Sequence, residues 1–162
     1  MKHLEVLQSK IMEPERALKQ IAAWRINVDR IVFTNGCFDL LHPGHVKYLA
    51  EARDLGHRLV VGLNSDSSVK RLKGADRPVQ DENARAFVLA GLSTVDAVII
   101  FDEDTPLNLI KAIQPDVLVK GGDWPEDQIV GADILKAGGG QVLSLPFSEG
   151  YSTSALIEKI RK

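Results

Sequence analysis

Five short runs of the chain are apolar at nearly every position: 31–34, 59–63, 97–101, 117–120 and 142–145. Runs of this length, rich in β-branched side chains, suit parallel strands buried on both faces. Between them the apolar positions take a helical period, and the segments at about 44–55, 81–92, 105–113 and 131–137 read as helices. A last helix is expected from about Ser152 to the end. Thr105-Pro106 predicts an N-cap followed by proline at the first helical position, where the missing N–H costs nothing. Gly138-Gly139-Gly140 is too short for a linker and is expected to turn a helix into the last strand. Strand–helix alternation of this kind predicts an α/β fold, a Rossmann-like open five-stranded parallel sheet with helices on both faces. Right-handed crossovers follow. In such sheets ligands bind at the carboxyl ends of the strands, where the strand order reverses. Residues 1–28 stand apart: Glu13-Pro14-Glu15-Arg16 opens a helix with Ala17, Leu18, Ile21, Ala22 and Trp24 on or near one face. That face suits either the sheet edge or another subunit.

Composition narrows the class. The 162 residues suit one domain with an N-terminal helical extension, and the net charge of −2 comes from interspersed acids and bases. This argues against a nucleic-acid-binding face and a polybasic membrane anchor. No apolar run approaches the length of a membrane span, and Met1-Lys2-His3-Leu4-Glu5 lacks the apolar core of a secretory signal. A single cysteine, Cys37, excludes an internal disulfide framework. The compartment expected is the cytoplasm.

The candidate chemistry sits directly after the first strand, at His42-Pro43-Gly44-His45. Proline suits the first helical position, which puts His42 near the N-cap and both imidazoles on one face. Gly44 lets a ligand approach the backbone. Free N–H groups and the positive end of the helix dipole point the same way and favour an anion. A lone histidine is usually structural, and a Pro-Gly pair usually marks only a turn. Two histidines flanking Pro-Gly between a strand and a helix point instead to chemistry on a phosphate. There is no GxGxxG after the first strand, no GxxxxGK[ST] and no cysteine-rich zinc spacing. Cys37 lies beside the motif, but a cysteine nucleophile needs an activating base and a covalent intermediate; it is expected to pack as a small loop residue.

These residues resemble the HxGH signature of the nucleotidylyltransferase superfamily, which joins a nucleoside triphosphate to a phosphorylated acceptor and releases pyrophosphate. The resemblance runs through most of the chain after about residue 28. It includes the stretch from Asn64 to Gly74, Arg77-Pro78-Val79, the stretch from Asp116 to Trp124, and Glu149-Gly150-Tyr151-Ser152-Thr153-Ser154. In these stretches the chain is similar to the adenylyltransferases that make ADP-heptose. In many bacteria that activity is the C-terminal domain of a bifunctional protein with a sugar kinase in front. The chain begins too close to the motif to hold a kinase and is expected to be the stand-alone form. The activity implied is transfer of AMP from ATP to D-glycero-beta-D-manno-heptose 1-phosphate, giving ADP-heptose and pyrophosphate for lipopolysaccharide core or related heptose glycans. Implied with it are ATP and a sugar 1-phosphate as partners, and a homo-oligomer, dimer or tetramer.

The resemblance assigns His42, His45 and Lys73 to catalysis. It assigns Thr34, Asn35, Gly36, Cys37, Phe38, Gly44, Gly122, Asp123, Ser152, Thr153 and Ser154 to nucleotide binding. Lys70, Arg71 and Lys73 become a phosphate-binding loop, with a solvated basic turn as the bland reading. Asp39, Asn64, Arg77, Arg85 and Trp124 are further candidates for phosphate or substrate contact, Asp39 as a holder of geometry rather than a metal ligand. Trp124 either stacks on a ring or closes the core. Ser152 is at least a helix cap, and exposed N–H groups beside it would bind the outer phosphates of ATP. Magnesium is expected to bridge triphosphate oxygens, since it prefers phosphates and water to an all-protein cage.

Three alternatives stay open: a nucleotidylyltransferase of the glycerol-3-phosphate cytidylyltransferase or FAD synthetase type, a non-catalytic nucleotide sensor, and a structural subunit, which has no positive support. Some cytidylyltransferase relatives carry an arginine shortly before the Ser152 motif, whereas this chain has Pro146-Phe147-Ser148-Glu149-Gly150.

Overall fold

The five apolar runs are the five strands of one parallel sheet in the computed structural model, which describes residues 2–146 and 148–161. In chain order the elements are α1 (His3–Lys10), α2 (Pro14–Ile26), β1 (Ile31–Gly36), α3 (Pro43–Arg53), β2 (Arg58–Asn64) and α4 (Asp66–Lys73). There follow α5 (Glu82–Ala90), β3 (Ala97–Phe101), α6 (Leu107–Ile113), β4 (Val117–Gly121), a 3-10 turn at Glu126–Gln128, α7 (Ala132–Ala137), β5 (Gln141–Leu145) and α8 (Thr153–Ile160). The strand order is β3-β2-β1-β4-β5, with every pair parallel. Winding runs outward from β1 through β2 to β3, then crosses back to β4, so β1 and β4 flank the reversal point.

Strand alternation divides the core into two layers. Ile31, Phe33, Val60 and Leu118 point to the side covered by α2, α6 and α7. Val32, Leu59, Val61, Val117 and Val119 point to the side covered by α3 and α5. Burial on both faces explains why the strands carry almost no polar positions.

The N-terminal segment belongs to the sheet edge. Ala17, Ile21 and Trp24 of α2 enter the core. Ile11 forms a parallel bridge with Val98 of β3, and the Met12 N–H donates to the Val98 carbonyl at 3.0 Å. The edge strand β3 therefore has its outer hydrogen-bonding groups partly occupied by the chain itself.

Three elements depart from expectation. Helix α1 buries no side chain, so it left no apolar stripe to read. Helix α6 begins at Leu107 with Pro106 at the N-cap, later than the expected start at 105. The segment after β2 is a helix, α4, where a loop was expected. The Ser65 hydroxyl accepts from the Ser68 N–H at 3.0 Å and caps it, and Val69 anchors it in the interior. The last helix ends at Ile160; Lys162 lies outside the described residues.

Candidate active site

Strand β1 ends at Asn35-Gly36, and the loop that follows leads into α3. His42 is the N-cap residue with extended backbone, and Pro43 fills the first helical position. The one-turn spacing brings the two imidazoles face to face, 3.8 Å between centroids and 19° between planes. Phe38 meets the far side of His45 edge-on at 5.4 Å, and Tyr151 lies over His42 at 5.9 Å. Gly44 packs closely under this stack, and a side chain there would need its neighbours to shift by a few tenths of an ångström. A Cβ there would come within 3.1 Å of the His42 ring and 3.2 Å of the Tyr151 side chain. The space beside Gly44 is bounded by the His42 ring and the Tyr151 Cβ.

Burial sets the charge of the histidines. Burial, then repulsion from His42, depresses the His45 pKa to about 4, partly offset by the Leu40 carbonyl. Burial also lowers that of His42. Both rings are therefore neutral at pH 7. Their Nδ1 atoms are buried and make no hydrogen bond of good geometry among the described residues, although the Leu40 carbonyl and the His42 backbone favour the charged rings weakly.

The loop is held from beneath. Asp39 is buried and accepts from Arg77 Nε at 2.6 Å and from the Val79 and Gln80 N–H groups at 2.8 and 3.1 Å. Its expected role as a holder of geometry matches this placement, and Arg77 is drawn to it in an ion pair. Arg85 is not at the opening. Its guanidinium is fully buried and donates to the carbonyls of Gln80, Cys37 and Asn64 and to Asp66 Oδ1. These bonds spend it on protein acceptors, which corrects the expectation of a nucleotide contact. Asn64 likewise turns inward, donating to Ser68 Oγ at 3.0 Å. The Thr34 hydroxyl is buried against the Tyr48 hydroxyl at 2.5 Å, so its side chain faces α3 rather than the opening.

Lys73 is the last residue of α4, and its charge reaches Cys37 and Lys120. Arg71 faces elsewhere, paired with Asp104 at 2.7 Å. The expected three-residue basic cluster is thus divided, with Arg71 held at the α6 approach. Lys73, Arg85 and Arg77 all favour a thiolate at Cys37, yet burial outweighs them and raises its pKa. A half-buried thiol held protonated is a poor nucleophile, in keeping with a packing role.

At the end of β4, Gly122 adopts φ +109°, a conformation open to glycine and strained for other residues. Its N–H donates to the Leu145 carbonyl at 2.8 Å, and the Trp124 N–H donates to Ser144 Oγ at 3.1 Å, so β5 fixes this turn. Asp123 is exposed and Trp124 is 49% exposed. Trp124 therefore does not close the core; it lines a cavity of about 160 Å³ with Asn35, Lys120 and Gln128. On the other side of the histidines, the Ser152 hydroxyl accepts from the Ala155 N–H at 3.4 Å and caps α8. Thr153 Oγ1 donates to the Leu40 carbonyl, also at 3.4 Å. That bond ties the start of α8, with Ser154, to the histidine loop.

Two residues of the site escaped sequence reasoning. Tyr151 was quoted within a motif but given no part. Lys120 was read as the end of an apolar strand. A lone lysine at the carboxyl end of a buried strand next to the reversal point was the signal that could have found it. Its burial lowers its pKa, and Lys73 pushes the same way.

A sheet that reverses between β1 and β4, with paired histidines at the mouth of the helix after β1, defines a class. The chain belongs to the cytidylyltransferase-like family, whose model matches residues 33–159. It is similar to the "Bifunctional protein HldE" of Bradyrhizobium diazoefficiens, 55% identical over 159 residues, or 98% of this chain and 32% of the relative. The protein of that name from Koribacter versatilis is 54% identical over 154 residues, 95% of this chain and 32% of its own length. The chain thus spans about a third of the curated relatives it matches. A solved structure of a lipopolysaccharide core biosynthesis protein from Thermoplasma volcanium is 31% identical. It superposes with a TM-score of 0.59, covering 76% of this chain and 99% of that one. Among the described residues, no helix is long and apolar enough to cross a membrane.

Proposed function

We propose that the chain is an adenylyltransferase that transfers AMP from ATP to D-glycero-beta-D-manno-heptose 1-phosphate, forming ADP-heptose and pyrophosphate. The observation that carries the reading is the His42–His45 pair, stacked and neutral, with the start of α8 tethered beside it by Thr153. Membership of the cytidylyltransferase-like family supports nucleotidyl transfer. The likeness to a lipopolysaccharide core biosynthesis protein supports a substrate of that class, and the resemblance of the Asp116–Trp124 and Glu149–Ser154 stretches to adenylyltransferases that make ADP-heptose supports heptose as the acceptor.

An oxygen of the sugar 1-phosphate attacks the α-phosphorus of ATP. The bond from that phosphorus to the bridging oxygen breaks, and pyrophosphate leaves with the electron pair. Such a transfer needs positioning and charge neutralisation more than covalent help. His42 and His45 donate to the α-phosphate oxygens as charge grows there. Lys73 adds fixed positive charge. Ser152, Thr153 and Ser154, with the free N–H groups of α8, hold the outer phosphates. Gly122 and Asp123 at the end of β4 face the nucleoside.

Magnesium carried on the triphosphate belongs to the same reading, since that ion prefers phosphates and water to an all-protein cage. Asp39, the acid of the histidine loop, has its carboxylate oxygens committed to Arg77, Val79 and Gln80. When bound, the ion neutralises the outer phosphates. The homo-oligomer implied by the resemblance is part of the same reading, with sedimentation of the purified chain as its check.

Labelled ATP tests the direction of transfer. Label in the α-phosphate should appear in the sugar nucleotide, and label in the γ-phosphate should leave in pyrophosphate. Retention of the α-label in ADP, with the γ-label on the sugar, would mean kinase chemistry instead.

A further inference from the structure

Strands β1 and β4 pair at Val32↔Val117 and Phe33↔Leu118. The next residues along are Thr34 and Val119, and there the link between the strands passes through a side chain of α3. The Tyr48 hydroxyl meets Thr34 Oγ1 at 2.5 Å and donates to the Val119 carbonyl at 3.4 Å. The second bond takes the Tyr48 proton, so Thr34 donates in the first. One phenol oxygen thus joins β1, β4 and the helix that carries both histidines. Thr34 is fully buried, and burial pushes the Tyr48 pKa up to about 12, so the phenol keeps its proton.

The place of Tyr48 on α3 gives this joint its consequence. Tyr48 follows His45 by three residues, and side chains so spaced lie on one face, a turn apart. Among the described residues of α3 only Gly44, Leu49 and Ala52 are buried. A single large apolar side chain does little to stop a helix sliding or rolling slightly, because apolar attraction is non-directional. A buried hydroxyl pair is less tolerant. Its bonds need both distance and angle, and breaking them in the interior leaves polar groups unmet at a cost. Tyr48 and Thr34 therefore set the height and rotation of α3 on the sheet. The His45 ring rides on that setting, between the stacked His42 and the edge of Phe38.

We propose that Tyr48 is a positioning residue for His45: with Thr34 and the Val119 carbonyl it fixes where the imidazole points, without touching substrate. Its effect on rate rests on the adenylyltransferase reading, and its effect on the ring rests on the geometry alone. A small misplacement matters little to a triphosphate bound in the ground state. It matters much to a donor aimed at charge that develops in the transition state. Loss of the Tyr48 hydroxyl should therefore fall on kcat and spare ATP affinity.

The test is Tyr48→Phe, which keeps the ring and removes the oxygen, read by pyrophosphate release, ATP titration and the NMR signal of the His45 Cε1 proton. In the variant kcat should fall about tenfold while ATP affinity stays within roughly twofold. Thr34→Val should act alike, and the two substitutions together should be no worse than either. In a His45→Ala background Tyr48→Phe should cost nothing further, because the residue through which it acts is gone. The His45 proton should shift in Tyr48→Phe as its ring moves against those of His42 and Phe38. It should stay in place in Ile113→Val, a control that thins the opposite core layer. Wild-type kcat in Tyr48→Phe, or the same fold loss with and without His45, would overturn the assignment. An unmoved His45 proton would overturn it whatever the reaction. A shifted proton in a protein that releases no pyrophosphate from any substrate pair would sink the adenylyltransferase reading and keep the joint.

Discussion

Arg85 donates to the Cys37 carbonyl at 2.6 Å, although the two residues are 48 positions apart in the chain. The same guanidinium nitrogen reaches the Asn64 carbonyl at 2.9 Å, so one buried side chain locks the end of β1 to the end of β2. This fixes the root of the histidine loop. Arg85→Met should cost roughly 3 kcal/mol, because it leaves backbone carbonyls in the interior without their donor and the half-exposed Asp66 without its partner. The loss should appear as a lower urea midpoint at unchanged m. A stability change under 1 kcal/mol, with ATP affinity lost instead, would return Arg85 to the nucleotide.

His45 and Lys73 should fail in different ways. His45→Ala removes a donor aimed at developing charge, a loss worth about 3 kcal/mol or on the order of a hundredfold in kcat. ATP affinity should change much less, since the contact strengthens in the transition state. Lys73→Ala should weaken ATP binding as well as turnover, because a fixed charge also attracts the ground-state triphosphate. Steady-state kinetics with an independent ATP titration separates the two patterns, and near-normal kcat in His45→Ala would falsify its role.

Ser152 and Thr153 test the α8 end of the site. Ser152→Ala removes the cap bonded to Ala155 and should cost roughly 1 kcal/mol of stability. If this helix start also holds the outer phosphates, apparent ATP affinity falls in Ser152→Ala and Thr153→Ala, with little change for the sugar phosphate. Melting temperature and ATP affinity should both move for Ser152, and chiefly affinity for Thr153. Wild-type ATP affinity in both variants would leave a plain helix cap.

The histidine stack predicts a pH dependence with a definite sign. His45 has a pKa of about 4 when folded against 6.5 as the ordinary value, and His42 is shifted the same way. Below pH 6.5 the unfolded chain takes up protons that the folded stack refuses. Stability is therefore full above pH 6.5 and declines as the pH falls toward 4. His45→Gln should flatten this decline relative to wild type in urea titrations at pH 7, 6, 5 and 4.5. Parallel curves for the two proteins would mean that His45 titrates normally.

The strands and the histidine pair were legible because each rests on a local pattern. Apolar runs such as 59–63 are buried whichever neighbours cover them, and the His42–His45 spacing puts two rings on one face of any helix. Helix α4 was not legible: only Ser68 and Val69 are buried in it, and its other positions read as a polar loop. Arg85 was misplaced because its acceptors come from Cys37, Asn64, Asp66 and Gln80, segments that meet only in the folded chain. Lys120 was hidden by its strand, since a charge that ends an apolar run looks like the run's solvent boundary. In the structure that boundary is the β1–β4 crevice.

The central claim is most directly tested by a matrix of triphosphates and phosphorylated acceptors, read as pyrophosphate release with magnesium present. ATP with D-glycero-beta-D-manno-heptose 1-phosphate should give the highest kcat/KM, and CTP should be poorly used. Far better turnover of CTP with glycerol 3-phosphate, or of ATP with FMN, would contradict the substrate assignment. Absence of pyrophosphate release with every pair would contradict catalysis itself.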